Sequence, residues 1–311
     1  MLFLYIFILA ILIFAGVIVT FFCITFVRNP KKGVTPTDIK INKTLVPYRS
    51  IVDPGIKFNN DTFHKTVSIK SGDGLTLVGD YYPNEENKGT MILFHGYRSV
   101  AKRDYACVLK IYYENGFNIL LVDQRSHGRS EGKIITFGIK ERYDVLSWVD
   151  YINTEFNSPQ IFLVGLSMGA TTVLLSAGLE LPDNICGIIA DCGFNSPAEI
   201  ISSVAKRDYH IKGKIIIPLM NILCKIFGKF SLYEASTEQA LKNNKIPVLF
   251  IHGRNDGFVP CYMSESAYSS AICEKDIIIV DGADHGMSFL VDTPSVLKKY
   301  NEFISKYLKS E

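Results

Sequence analysis

Short apolar runs separated by amphipathic stretches dominate the chain from residue 90 onward. The six runs are rich in Val, Ile, Leu and Phe and cover residues 90–96, 118–124, 160–167, 186–192, 247–253 and 276–282. Such continuous runs are typical of strands buried on both faces of a parallel sheet. Helical patterns separate them, at residues 101–115, 140–156, 168–180, 262–273 and 293–309. The alternation predicts a doubly wound α/β domain, in which ligands bind beyond the carboxyl ends of the strands.

Two further segments depart from this alternation. Residues 64–70 and 75–82 alternate in polarity on either side of a Ser-Gly-Asp-Gly turn, which predicts a β-hairpin and brings the mostly parallel sheet to eight strands. About fifty residues, 195–244, separate two later strands, well beyond an ordinary loop and helix. We expect a small helical cap there; the alternative is an ordinary crossover helix with an extended loop. The α/β domain as a whole is expected to span residues 61–311.

The N-terminus carries the longest apolar stretch. Residues 2–27 hold no charged side chain. A helix of that length spans about 39 Å, more than the ~30 Å hydrocarbon core of a bilayer. This favours a transmembrane anchor at residues 1–27 over a buried core helix. A cleaved signal peptide is the more serious alternative, but it would need basic residues before the run and small residues at its end.

Residues 28–60 are expected to be a linker, because they contain several proline and glycine turn signals and no clear period. Basic residues follow the apolar run, at Arg28, Lys31, Lys32, Lys40, Lys43 and Arg49, and none precedes it. The positive-inside rule therefore places the large domain in the cytoplasm. Seven cysteines without a CxxC pair agree with reduced thiols.

Composition excludes other classes of protein. The formal net charge is only +2, which argues against a dedicated nucleic-acid binder, since neutralising many phosphates requires a basic surface. Hydrophobic residues make up 48% and charged residues 21%, so the chain is not disordered. The histidines show no metal-ligand spacing, and no metal or organic cofactor is expected.

The strongest functional motif is Gly-Leu-Ser-Met-Gly at residues 165–169. It follows the strand-like run Gln-Ile-Phe-Leu-Val and precedes a helical stretch. A serine on a sharp turn between strand and helix projects its hydroxyl above the sheet, and flanking glycines let the two elements pass closely. The dipole of the following helix favours negative charge at the same place. We therefore predict that Ser167 is a nucleophile and not merely a turn residue.

A serine nucleophile needs a base, and the base needs an acid to orient it. Asp256 follows one strand-like run and His285 follows the next, so both are expected at the edge of the sheet that carries Ser167. Asp284 and Asp191 compete with Asp256 for the role of the acid. Asp284 adjoins His285 in sequence, which usually directs the two side chains apart, whereas Asp191 ends an earlier strand and is the better substitute.

Acyl transfer also requires donors for the oxyanion. The backbone N–H of Met168, the residue after the nucleophile, is one expected donor. The N–H of Tyr97, in the loop after the run at residues 90–96, is the other. His95 in the same loop is expected to have a structural role.

From about residue 62 to its C-terminus the chain resembles the α/β-hydrolase superfamily. Within it the pattern is similar to the serine-hydrolase branch that contains monoacylglycerol lipases, lysophospholipase-like enzymes and membrane-tethered bacterial hydrolases. Five motifs carry the resemblance, at residues 95–97, 123–132, 165–169, 253–260 and 284–286, with Gln124 and Ser126 departing from that branch's usual residues. The resemblance implies the α/β-hydrolase fold and the triad order Ser, Asp, His.

The sequence therefore predicts a membrane-anchored serine hydrolase of the carboxylesterase or lipase-like type. Its expected partners are a small-molecule or lipid ester substrate and, through the N-terminal helix, the membrane. Two alternatives stay open: a peptidase or amidase that uses the same triad, and a non-catalytic scaffold of the same fold.

Overall fold

The computed structural model describes residues 1–28, 43–156 and 158–309. Its centre is an eight-stranded sheet. The strands are β1 (Lys65–Lys70), β2 (Thr76–Tyr82), β3 (Thr90–Phe94), β4 (Asn118–Asp123), β5 (Ile161–Leu166), β6 (Ile185–Asp191), β7 (Val248–Gly253) and β8 (Lys275–Val280). They lie in the order β1-β2-β4-β3-β5-β6-β7-β8; β1 and β2 pair antiparallel, and β3 to β8 run parallel. This confirms the predicted sheet.

Helices cover both faces of the sheet. They are α1 (Leu2–Phe26), α2 (Arg49–Asp61), α3 (Ala101–Asp104), α4 (Leu109–Glu114), α5 (Glu141–Phe156), α6 (Met168–Ser176), α7 (Pro197–Tyr209), α8 (Gly213–Leu223), α9 (Thr237–Leu241), α10 (Tyr262–Ser270), α11 (Ser288–Val291) and α12 (Thr293–Tyr307). Alternate strand residues enter two separate cores: Met91 and Leu93 of β3 join one, Ile92 and Phe94 the other. Both faces are therefore buried, as the continuous apolar runs predict.

The helix predicted over residues 101–115 is interrupted between α3 and α4. The side chain of Tyr105 is buried there, and its hydroxyl donates a 2.9 Å hydrogen bond to the carbonyl oxygen of Phe94. The hydrogen bond draws the turn toward the end of β3, which breaks the helix in two.

Part of the predicted linker is helical. Residues 29–42 lie outside the described residues, but α2 occupies residues 49–61 and packs on the domain through Val52 and Asn59. Gly55 in α2 lies so close to the turn after α3 that a Cβ there would meet the carbonyl oxygen of Ala106 at 1.6 Å. The Asp53-Pro54-Gly55 sequence, which resembles a turn, therefore lies within a helix because its glycine permits close helix packing.

The insertion at residues 195–244 contains α7, α8, a single π-helical turn at Cys224–Gly228, and α9. Pro218 lies inside α8 without ending it. Apolar side chains of this cap, among them Ile200, Ile216 and Met220, form a third core with Met168 and Phe137. The cap thus lies over the end of β5 from which α6 begins.

The N-terminal helix α1 has two different halves. It is the only helix among the described residues that is long and apolar enough to cross a membrane. Its first residues are exposed, whereas Ile18, Phe22 and Phe26 are buried in the third core. After the helix, Val27 forms a β-bridge with Ile134. The C-terminal turns of α1 are therefore packed into the folded domain.

Candidate active site

Ser167 occupies a strained turn between β5 and α6. Its backbone angles are φ 55° and ψ −115°, in the region that side chains rarely adopt. A Cβ on Gly165 would lie 2.3 Å from the carbonyl oxygen of Gly169, and a Cβ on Gly169 would lie 1.8 Å from that of Phe94. Both glycines are therefore required for the strand and helix to approach, which is the geometry of a nucleophile elbow.

The three side chains that the sequence selects as a triad lie together. Nε2 of His285 lies 2.9 Å from Oγ of Ser167, and Nδ1 of His285 lies 2.7 Å from Oδ2 of Asp256. An imidazole protonated at Nδ1 donates to the carboxylate and accepts from the serine hydroxyl. Parallel pairing of β7 with β8 brings the two loops that carry Asp256 and His285 side by side.

Asp256 is surrounded by donors. Its Oδ1 accepts hydrogen bonds from the backbone N–H groups of Phe258 and Val259, at 2.8 and 2.7 Å. Its Oδ2 also lies 3.2 Å from Nε2 of His252. Burial by itself would raise the pKa of Asp256, but the hydrogen bonds from His252 and His285 outweigh it and hold that pKa well below its ordinary value. The carboxylate is therefore ionised next to His285.

Among the described residues, the hydrogen-bond partners of the imidazole are Asp256 and Ser167, and neither competing carboxylate is one of them. Oδ1 of Asp284 accepts from the backbone N–H groups of Gly257 and His285, so this side chain joins the two loops. Asp191 ends β6, and burial raises its pKa to about 6. Its Oδ1 is buried and has no hydrogen-bond partner among the described residues. The acid in contact with His285 is Asp256.

The two expected oxyanion donors lie on either side of Ser167. Met168 is the first residue of α6, so its N–H has no acceptor within the helix. Tyr97 follows β3, which pairs with β5 so that Phe94 lies opposite Gly165. A Cβ on Gly96, next to Tyr97, would lie 3.4 Å from the Cβ of Ser167. The loop after β3 therefore reaches Ser167.

Two buried histidines fix that loop. His95 accepts from the N–H of Gln124 through Nε2, at 3.1 Å, and its Nδ1 lies 2.7 Å from the carbonyl oxygen of Gly96. His127 accepts from the N–H of Arg98 at 3.0 Å. Burial lowers the pKa of both imidazoles, which are therefore neutral and act as hydrogen-bonding supports.

Sequence reasoning missed the contacts of His252 and Gln124. His252 lies four residues before Asp256 at the end of β7, and its Nδ1 lies 2.7 Å from the hydroxyl of Ser264. Gln124 donates to the carbonyl oxygen of His95 at 2.5 Å. Proximity to Asp256 was the available signal for His252. Gln124 differs from the residue that is usual at this position in the serine-hydrolase branch. Its role in holding the loop after β3 is visible only from its tertiary contacts.

Two cavities meet at Ser167. One, of about 200 Å³, is lined by apolar side chains of the cap and α1, including Ile201, Met220 and Phe21. The other, of about 560 Å³, is a more polar cleft with Arg103 and Asp284 in its walls. Both reach Tyr97 and Ser167. An ester carbonyl at Ser167 therefore has an apolar space on one side and a polar space on the other.

One group of potential metal ligands occurs among the described residues. It consists of Cys192, Asp256 and His285. Burial raises the pKa of the Cys192 thiol well above its ordinary value, and Asp256 and His285 are already bonded to each other. Asp256 and His285 are thus occupied by each other and by Ser167.

Sequence comparisons find one family model and several relatives that are similar to this chain. A family model described as serine aminopeptidase, S33 (Hydrolase_4), matches residues 85–232. Uncharacterized protein YqkD of Bacillus subtilis is 27% identical over 237 residues, covering 76% of this chain and 77% of that protein. Uncharacterized protein YfhR of Escherichia coli (strain K12) is 25% identical over 228 residues, covering 71% and 73%.

Solved structures give the same result for the fold. An esterase of Pyrococcus furiosus matches with a TM-score of 0.66 at 21% identity, covering 89% of this chain and 99% of that one. The chain has the α/β-hydrolase fold, and the family model agrees with the resemblance to the α/β-hydrolase superfamily that the sequence motifs indicate. The match to a hydrolase family model over residues 85–232 supports hydrolase activity.

Proposed function

We propose that this chain is a membrane-anchored serine hydrolase that cleaves carboxylic esters. The observation that carries the proposal is the continuous relay from Oδ2 of Asp256 through the imidazole of His285 to Oγ of Ser167, with steps of 2.7 and 2.9 Å. Both distances suit proton transfer to a general base. The strained backbone of Ser167 adds independent support, because such strain is retained where the surrounding structure requires it.

In the proposed reaction, Oγ of Ser167 attacks the ester carbonyl carbon while Nε2 of His285 takes the hydroxyl proton. The backbone N–H groups of Met168 and Tyr97 bind the oxyanion of the tetrahedral intermediate. The intermediate collapses, and His285 returns the proton to the leaving alkoxide. Water then attacks the acyl-enzyme by the same route and releases the acid.

Asp256 has two functions in this scheme. Its carboxylate holds the imidazole in the tautomer that carries hydrogen on Nδ1, and it stabilises the imidazolium that forms when Ser167 is deprotonated. The low pKa of Asp256 suits both functions, because the carboxylate stays charged throughout the reaction.

The proposed substrate is an ester with an apolar acyl group. Apolar side chains surround Ser167 on the cap side, whereas the opposite cleft contains Arg103, Asp104 and Asp284. An acyl chain suits the first space and a polar alcohol the second. The similarity to an esterase of Pyrococcus furiosus supports an ester as the substrate.

The proposed anchor is α1, with the large domain in the cytoplasm. Burial of Ile18, Phe22 and Phe26 in the third core supports an uncleaved helix, because removing it as a signal peptide would expose that core. The basic residues after the helix support the orientation. We therefore propose that the hydrolase domain begins with α2 and that residues 29–42 are the linker between this domain and the anchor.

Activity-based labelling tests the proposal. A fluorophosphonate probe is expected to label the wild-type chain at Ser167, and a panel of p-nitrophenyl esters is expected to be hydrolysed. Ser167→Ala is expected to abolish both while circular dichroism and thermal unfolding show that the fold remains. Ester hydrolysis by a folded Ser167→Ala chain, or a wild-type chain that neither reacts with the probe nor cleaves any ester, would overturn it.

A second candidate is peptide or amide hydrolysis by the same triad. The matching family model is described as a serine aminopeptidase, which favours testing it directly. Ester and amide substrates with the same acyl group separate the two activities. A kcat/KM for the amide that is similar to the kcat/KM for the matched ester would favour peptide or amide hydrolysis.

A further inference from the structure

The C-terminal turns of α1 form one wall of the apolar cavity beside Ser167. Phe21, Ile24 and Thr25 line this cavity together with the cap. The ring of Phe21 makes an edge contact with Tyr209, the last residue of α7, at 4.7 Å between ring centroids. The helix proposed as the membrane anchor is thus also a boundary of the space next to the nucleophile.

The same end of α1 is bonded to the loop of the proposed oxyanion hole. The hydroxyl of Tyr97 donates to the carbonyl oxygen of Thr25 at 2.7 Å. The guanidinium of Arg98 donates to the carbonyl oxygens of Ile24 and Val27, at 2.6 and 2.9 Å. A cation on the terminal carbonyls of a helix also complements its dipole. The wall is therefore held in a defined position relative to Ser167.

The cap presents an apolar and basic surface next to α1. Four large side chains of residues 211–230 are exposed, namely Ile215, Ile222, Ile226 and Phe227. The ring of Phe227 lies 5.7 Å from that of Phe22 in α1, so this surface continues from the anchor helix. Residues 211–230 contain four lysines and no acidic residue. This chemistry suits a bilayer surface with anionic headgroups.

We propose that the end of α1 is part of the substrate-binding site, and that the cavity takes one acyl chain of a membrane lipid that enters alongside α1. This inference rests on the proposed esterase function. The acyl chain of the lipid passes from the hydrocarbon core of the bilayer along Phe21, Ile24 and Thr25 to Ser167. The apolar surface of the acyl chain is therefore not exposed to water on the way. The anchor thereby contributes to acyl selectivity as well as to location.

Paired substitutions in α1 test this role. Thr25→Phe fills the wall side of the cavity, and Phe21→Ala enlarges it. The matched control is Val19→Phe, because Val19 is 46% exposed and does not line the cavity. The full-length chain in vesicles of phosphatidylcholine and phosphatidylglycerol is assayed with p-nitrophenyl esters from four to sixteen carbons.

The quantity compared is the chain-length ratio, which is kcat/KM for the twelve-carbon ester divided by kcat/KM for the four-carbon ester. We expect Thr25→Phe to lower this ratio by about tenfold, because the acyl chain loses contact with the cavity over about two methylene groups. Phe21→Ala is expected to shift the preference toward longer chains, and Val19→Phe is expected to keep the wild-type ratio. If Thr25→Phe and Phe21→Ala both have the same chain-length ratio as Val19→Phe, the inference is overturned. The proposed ester hydrolysis is not affected by that result. If the wild type cleaves no ester, the proposed function fails first.

A crosslinking experiment tests the position of the acyl chain in the wild-type protein, without any substitution. A long-chain alkyl fluorophosphonate with a diazirine on its chain is attached to Ser167 of the wild-type chain and photolysed. Mass spectrometry is expected to locate crosslinks in residues 21–25. Crosslinks confined to other segments, such as residues 44–52 or 287–290 around the polar cleft, would show that the chain does not lie against α1.

Discussion

The hydroxyl of Tyr97 lies 2.7 Å from the carbonyl oxygen of Thr25 and donates a hydrogen bond to it. This bond connects the loop after β3 to the last turn of α1, across 72 residues of chain. The ring of Tyr97 also stacks on Phe137 at 5.1 Å between centroids, and Phe137 in turn contacts Phe26 of α1. Tyr97 therefore joins the proposed oxyanion loop, the cap side of the domain and the proposed anchor.

Tyr97→Phe removes this hydrogen bond and keeps the ring and the backbone N–H. We expect the free energy of unfolding to fall by about 2 kcal/mol, since the hydroxyl loses both the hydrogen bond that it donates to Thr25 and the one that it accepts from Nε of Arg98. We expect kcat on a short ester to fall less than tenfold, because the amide remains while its loop is less fixed. Thermal unfolding and steady-state kinetics measure both effects. Tyr233→Phe, at an exposed tyrosine of the cap, is the control. A loss of several orders of magnitude in kcat would contradict this role.

Asp256→Asn tests the proposed role of Asp256 as the acid of the triad. Oδ1 of Asp256 accepts from two backbone N–H groups, so an asparagine keeps its oxygen there and directs its NH₂ at Nδ1 of His285. The imidazole then carries its hydrogen on Nε2 and cannot accept the proton of Ser167. We expect kcat to fall by about 10³–10⁴ with the fold retained. Asp191→Asn is expected to cost less than tenfold, and the reverse ranking would identify Asp191 as the acid.

The raised pKa of Asp191 predicts that the stability of the fold depends on pH. Its folded pKa of about 6 lies above the ordinary 3.8 because of burial. The protonated form is therefore favoured in the folded state, and its stabilising contribution is lost as pH rises through 6. Asp191→Asn is expected to exceed the wild type in unfolding free energy by about 3 kcal/mol at pH 7.5. The difference should shrink below pH 6 and vanish below about pH 4.

Urea unfolding at a series of pH values measures this difference. Asp150→Asn, at an exposed carboxylate of α5, serves as the control and is expected to follow the wild type. A constant difference between Asp191→Asn and the wild type from pH 4 to pH 8 would contradict the raised pKa.

Gly169→Ala tests the packing of the nucleophile turn. Its Cβ would lie 1.8 Å from the carbonyl oxygen of Phe94, so β3 and α6 must separate. We expect the unfolding free energy to fall by about 3 kcal/mol, together with a large loss of fluorophosphonate labelling. Gly72→Ala is the matched control, since its Cβ would meet nothing within 4 Å. Equal melting temperatures for the two variants would refute the close approach.

Protease accessibility tests the proposed orientation. Basic residues follow the apolar helix, so the proposed orientation has the large domain on the cytoplasmic side. Protease added outside intact spheroplasts is expected to spare the domain, and the same protease is expected to digest it in inverted vesicles. Digestion from outside intact cells would place the domain on the opposite side of the membrane.

Much of the fold was predictable because its signals are local. Continuous apolar runs identified the strands β3 to β8, and the turn between two alternating segments identified the hairpin of β1 and β2. The helix α2 was not predicted. Its Pro54 and Gly55 are turn signals in sequence, and the close packing that requires Gly55 becomes visible only in the tertiary structure.

The sequence by itself determined which side chains are chemically suited to acyl transfer and at which edge of the sheet they lie, because strand ends and motif order are written along the chain. Only the tertiary structure decided that His252 contacts Asp256 and that the end of α1 borders the cavity at Ser167. Both contacts join residues through side-chain direction and helix packing. Those depend on how the elements are arranged in space, which no local pattern specifies.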